Sequence, residues 1–163
     1  MASTFSTSLK LELQATGENA GTWGDKTNTN LQLVEQAVAG YEEVSIAGGA
    51  GTTALTMSDG AASNARNMVI KLTGTITGNR IVTVPDSMEK VYIVSNGTSG
   101  AFTVQFKTAS GTGYTFVAAD KSVRVLFADG TNIVDTGIIN TSSTDTLTNK
   151  TLTTPTINGA TTT

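Results

Sequence analysis

Residues 91–106 read Val91-Tyr92-Ile93-Val94-Ser95-Asn96-Gly97-Thr98-Ser99-Gly100-Ala101-Phe102-Thr103-Val104-Gln105-Phe106, and this stretch decides how the chain is expected to fold. Val91 to Val94 is a continuous apolar run, the mark of a strand buried on both faces. Asn96-Gly97, with Gly100 close behind, lies between that run and the alternating Phe102, Val104 and Phe106. Asn and Gly both tolerate positive φ, so Asn-Gly between two apolar runs predicts a tight hairpin. The same grammar extends outward. Upstream, Val44 and Ile46 end at Gly48-Gly49-Ala50-Gly51, and Leu55 and Met57 end at Ser58-Asp59-Gly60. Residues 61–67 read as a loop; Met68 to Leu72 and Ile81 to Val84 read as strands, the second stopped by Pro85-Asp86. Downstream, Gly111-Thr112-Gly113 turns into Tyr114 to Val117, Val123, Val125 and Phe127 alternate with Arg124 and Leu126, and Asp129-Gly130 turns into Ile133-Val134. Eight or nine short strands with frequent turns predict a small antiparallel β-sandwich or barrel over residues 42–140.

The helical period appears once, in residues 17–41. Asp25, Thr27 and Asn28 are candidate N-caps, since their side-chain oxygens can accept from the open N–H groups of a first turn. Leu31, Val34, Val38 and Tyr41 then recur on one face, widened by Leu33 and Ala37, which predicts a helix over about 25–40. Gly40 is placed to end it in the left-handed conformation. Trp23, the sole tryptophan, reads as an anchor folded over the first turn or against a neighbouring subunit. Ahead of it, Leu9, Leu11 and Leu13 alternate with Lys10 and Glu12 as in a strand, to be paired by the chain itself or by another subunit.

Residues 141–163 differ in character. Leu147, Leu152 and Ile157 are spaced five apart in a Thr-rich segment. One thin strand cannot bury them, whereas three chains wound about an axis can, so an extended fibrous segment with trimer contacts at these positions is expected.

Chemistry is sparsely encoded. There is no His and no Cys, which removes the usual catalytic triads, thiol chemistry and the commonest zinc sites. Gly48-Gly49-Ala50-Gly51 lacks the Lys-Ser or Lys-Thr of a phosphate loop. Asp59, Asp86, Asp120 and Asp129 sit in turn contexts, where Asp bonds its own backbone. The 10 basic and 13 acidic residues give a net charge of −3, which offers no basic field to nucleic acid. No apolar run reaches the ~18 residues of a membrane span. The expectation is a non-enzymatic protein with no catalytic, metal or cofactor-binding residues and no cofactor.

Gly17-Glu18-Asn19, Thr22-Trp23-Gly24, Thr27-Asn28-Thr29-Asn30-Leu31 and Glu35-Gln36-Ala37 together resemble the N-terminal segment of tail-fibre and related virion proteins of tailed bacteriophages. Thr146-Leu147-Thr148-Asn149-Lys150-Thr151-Leu152-Thr153-Thr154-Pro155 resembles a linker that recurs in such fibres. The resemblance implies a virion location in the tail, assembly in the host cytoplasm, and a homotrimer. It also implies docking through residues 1–41 onto a tail protein, be it an adaptor, nozzle or baseplate component. Trp23, Asp25, Asn28, Asn30, Leu31, Val34, Val38 and Tyr41 are the candidate docking and packing residues. A host receptor would be met further along the fibre. The alternatives are a module that binds host surface glycan directly and, less favoured, a glycan-degrading tailspike.

Overall fold

The computed structural model describes residues 2–138; the expected trimer contacts Leu147, Leu152 and Ile157 lie outside them. The chain is mainly β, with one α-helix. Two short strands, β1 (Thr4–Phe5) and β2 (Glu12–Leu13), pair antiparallel ahead of helix α1 (Trp23–Ala39). Nine strands make the body. They are β3 (Tyr41–Ser45), β4 (Gly51–Ala54), β5 (Val69–Thr75), β6 (Arg80–Val84), β7 (Glu89–Ser99), β8 (Val104–Thr108), β9 (Gly113–Phe116), β10 (Val123–Asp129) and β11 (Ile133–Asp135). A 3-10 turn, Asn64–Arg66, sits between β4 and β5.

Two sheets face each other, but they are mixed rather than antiparallel. One has the order β11-β10-β7-β5-β3 and the other β4-β6-β8-β9. From β3 to β8 the chain alternates between sheets, so each strand pairs with the one a full coil away and runs parallel to it. Tyr41 lies beside Val69 and Val69 beside Ile93, coils of 28 and 24 residues. Three such coils are then closed by antiparallel pairs, β8 with β9, β7 with β10 and β10 with β11. The Asp129–Gly130 turn lies where the sequence places it, with Gly130 at φ 93°.

Asn96-Gly97 is not a hairpin. Both residues lie inside β7, and residues 91–95 and 104–108 belong to different sheets. The reason is local. Asn96 points into the core, where its amide donates to Asp120 O at 2.7 Å and accepts from the Thr98 hydroxyl at 2.7 Å. The chain turns instead at Gly100, whose φ of 106° puts a would-be Cβ 2.2 Å from Ile76 O. Val91 to Val94 is likewise not buried on both faces: Tyr92 and Val94 are buried and Val91 is exposed.

The core lies between the sheets and contains Ile70, Leu72, Val82, Val94, Val104 and Leu126 among others. Tyr92 meets Phe106 edge-on, with ring centroids 5.4 Å apart, and its hydroxyl donates to Ala65 O at 2.9 Å. Each such fully buried large side chain contributes about 1.5–3 kcal/mol.

The turn assignment has a direct check. Gly100→Ala should lower stability by about 1–3 kcal/mol in urea unfolding, because an L side chain is strained there. Gly97→Ala, in an extended strand, should cost less; the reverse order would restore a turn at Asn96-Gly97.

Candidate docking surface

The N-terminal segment folds as an appendage fastened by polar groups. Asn30, on α1, clamps β2 with both halves of its amide: it accepts from Glu12 N at 2.9 Å and donates to Glu12 O at 2.8 Å. The Glu12 carboxylate takes the Asn19 amide at 2.9 Å and the Lys26 ammonium at 3.1 Å, which hold it below the usual carboxylate range. Leu9, Leu11 and Leu13 do not form one continuous strand; the chain turns at residues 6–10 and only Glu12 and Leu13 pair, within the appendage.

Arg66 attaches this appendage to the body. Its side chain is fully buried. Nε donates to Leu9 O at 3.0 Å, Nη1 to Gln36 Oε1 at 3.2 Å and to Ala61 O, and Nη2 to Ser58 O at 2.7 Å. One guanidinium thus joins the N-terminal arm, α1 and the loop after β4. Its fork of five donors suits a cage of carbonyls in different directions, which a lysine could not fill. Nothing in the sequence pattern singled Arg66 out, because a lone Arg in a polar loop reads as solvated.

Helix α1 begins two residues earlier than expected. Trp23 is its first residue and Thr22 its N-cap, without a side-chain capping bond. Asp25 and Asn28 lie within the first turns and are exposed, so neither is the cap; Asp25 there complements the positive end of the helix dipole. Gly40 is not left-handed: its φ and ψ are −69° and 141°. It is needed for space, since a Cβ would lie 2.2 Å from Gln36 O and 2.3 Å from Asn67 Oδ1.

The apolar face read from the periodicity faces solvent. Leu33 is buried, and Asn30 and Ala37 are half-buried beside it. Trp23, Leu31 and Val38 remain 66%, 62% and 66% exposed, and Val34 and Tyr41 are exposed too. Trp23 therefore does not anchor the helix within its own chain. At 100° per residue, Trp23, Leu31, Val34 and Val38 fall within about 80° of arc, one continuous stripe. The structure brings these four together on one side of α1, with Asn28 beside the stripe; Asp25 lies on the opposite side of the helix, and Tyr41 is the first residue of β3.

Where the stripe ends, Leu9, Ala37, Val38, Met68 and Val91 line a cavity of about 250 Å³ together with Glu89 and Lys90. The Lys90 ammonium donates to Arg66 O at 2.7 Å and Asn67 O at 2.8 Å, and lies 4.1 Å from the centre of the Tyr92 ring. Those contacts favour the proton; burial, reinforced by the Arg66 charge, outweighs them and brings Lys90 down to about 7. At the far end of the body, Asp120 is held by the Tyr114 hydroxyl at 2.9 Å and Ser122 N at 3.0 Å, with Arg124 at 3.5 Å. Burial would raise Asp120, but these donors keep it below its ordinary range, and burial beside it pushes Tyr114 up to about 12. These groups join β9, β10 and the loop between them. Among the described residues no cluster of His, Cys, Asp and Glu could hold a metal ion.

Two outcomes follow. Arg66→Met should leave several buried carbonyls without a donor, each costing about 1–3 kcal/mol. Proteolysis within residues 6–19 should then accelerate before the β body is cut; equal protection in variant and parent would contradict the tie. For Lys90, the folded value of about 7 lies below the unfolded ~10.4, so the unfolded chain binds more protons between them. Stability should therefore rise as pH goes from 7 to 9.5, and Lys90→Met should flatten that rise; a parent whose urea midpoint is constant over this range would refute it.

The chain matches no protein-family model, and no curated protein or solved structure is significantly similar to it.

Proposed function

We propose that the chain is a structural virion protein, the N-terminal part of a tailed-phage tail fibre. It acts as a homotrimer that docks on a tail protein through residues 1–41 and carries the host-recognition apparatus beyond them. The observation that carries this reading is the stripe on α1. The segment whose residues resemble fibre attachment regions presents Trp23, Leu31, Val34 and Val38 to solvent instead of to its own core. Isolated exposed apolar residues are ordinary, but a contiguous row of them marks a surface that another protein covers. Its construction supports the same reading. The appendage is held together by Asn30 and attached to the body by Arg66, both through hydrogen bonds, so its apolar side is left free for a partner.

A non-catalytic role is supported by what the carboxylates do. Glu12 pairs with Lys26, Asp120 with Arg124, and Asp129 bonds the N–H groups of Thr131 and Asn132 in its own turn. Each is engaged in holding the fold.

Val34→Asp combined with Val38→Asp should leave unfolding within about 0.5 kcal/mol of the parent, as for other surface changes. Incorporation into particles should fall at least about tenfold, the equivalent of 1.4 kcal/mol at the docking site. Quantitative mass spectrometry of gradient-purified particles reads this. A parent chain that is abundant in infected cells and missing from purified particles would overturn the proposal.

A further inference from the structure

The two sheets are made by the same coils, yet their outer faces differ. On the four-stranded sheet the outward row Thr52, Ile81, Gln105 and Thr115, with Thr83 and Lys107 beside it, is mostly polar. On the five-stranded sheet the matching outward row is Tyr41, Val69, Ile93 and Val125. The next row is Val91, Phe127 and Val134. Tyr41, Val91 and Phe127 are 54%, 43% and 36% exposed, and the row beyond them, Glu43, Lys71 and Ser95, is polar. An open sheet normally wets one face with polar side chains, as the four-stranded sheet does. The five-stranded sheet thus has two adjacent apolar rows on its outer face, which among the described residues only Leu9, Ala37 and Val38 approach, at Val91.

We infer that this outer face is where copies of the chain pack against one another. Three features select a second copy as the occupant. First, the face is electrically balanced: the ion pair at its margin, Glu43 with Lys71 at 2.8 Å, carries both signs. A second copy meets no unpaired charge at that margin, each Lys71 keeping its own Glu43. Second, five strands at ~4.8 Å and about five residues at ~3.3 Å make a patch of roughly 400 Å². That is half of the ~800 Å² per partner of a stable complex between independent proteins. It suffices for a partner already held nearby, as copies within one assembly are, where effective concentration replaces area. Third, the patch is continuous with the α1 appendage, since Val91 of the face and Val38 of the stripe line one cavity. Copies packed face to face would therefore bring their docking stripes to one end. The inference rests on the fibre reading for its assembly, and on the strand pairing for its place.

The chain has no cysteine, so single cysteines report cleanly. V125C and V91C, on the apolar face, and T115C, on the polar face, are introduced separately into the full chain. Under mild oxidation V125C and V91C should give chain-to-chain disulfides or, when the assembled protein is treated with maleimide, lose labelling relative to urea-unfolded protein. T115C should stay monomeric on denaturing gels and label freely. Free labelling of V125C and V91C in an assembled protein, or a parent that sediments as a monomer at micromolar concentration, would overturn the interface. The same labelling on purified particles separates the two claims. A chain present on particles with a freely labelled V125C overturns the interface alone. A protected V125C in a protein that never reaches particles supports the interface and overturns the fibre reading.

Discussion

Each coil of the body can satisfy its strand N–H and C=O groups only through the coil before it and the coil after it. That constraint follows from how the chain alternates between two sheets, and most of the molecule is a response to it. Buried backbone groups left unpaired are costly, so the stack must begin and end somewhere acceptable. At the C-terminal end β9, β10 and β11 fold back antiparallel and finish both sheets. At the N-terminal end β3 and β4 are edge strands among the described residues, and exposed edges are where proteins invite association. The longer first coil holds the loop that carries Arg66, and through it the helix and N-terminal arm are set on the side of the stack.

Arg66 shows how an appendage can be fixed without spending its apolar surface. A hydrophobic attachment would have turned Leu31, Val34 and Val38 inward. A buried guanidinium caged by carbonyls fixes the same segment through directional bonds, and the apolar face stays outside. Lys90, one strand away and donating to the carbonyls of Arg66 and Asn67, completes a junction of two basic side chains held by carbonyl oxygens. Such a junction is sensitive to pH on the alkaline side of neutrality rather than the acid side.

Much of the fold is legible in the sequence, and the misreadings share one cause. Val104 with Phe106 and Ile70 with Leu72 alternate and are buried as alternation requires. Asp129-Gly130 turns as such pairs do. β10 is different: Val123, Val125 and Phe127 have the appearance of a core phase, yet Arg124, Leu126 and Ala128 face inward, Arg124 being made tolerable there by Asp120. Helix α1 repeats the inversion, its apolar period lying on the solvent side and Leu33 alone buried. Periodicity reports which face is apolar, not what covers it; a face reserved for another chain reads like a core. The parallel order was hidden by Asn96-Gly97, a turn pair by composition whose Asn instead fills a polar niche in the core. The available signal was the spacing, 24 to 29 residues between strands that end up adjacent, which is the period of a coil rather than of a hairpin. Neither Arg66 nor Lys90 could have been found this way, since their importance arises from carbonyls distant in sequence.

The account stands on the claim that these apolar surfaces are covered in a virion assembly. Imaging of intact particles at subunit resolution tests it most directly. The account predicts three copies around one axis at the tail, with the five-stranded sheets turned toward one another and the α1 stripe of each copy seated on a different protein. A reconstruction in which the chain is present and both the sheet face and the α1 stripe are open to solvent would contradict it.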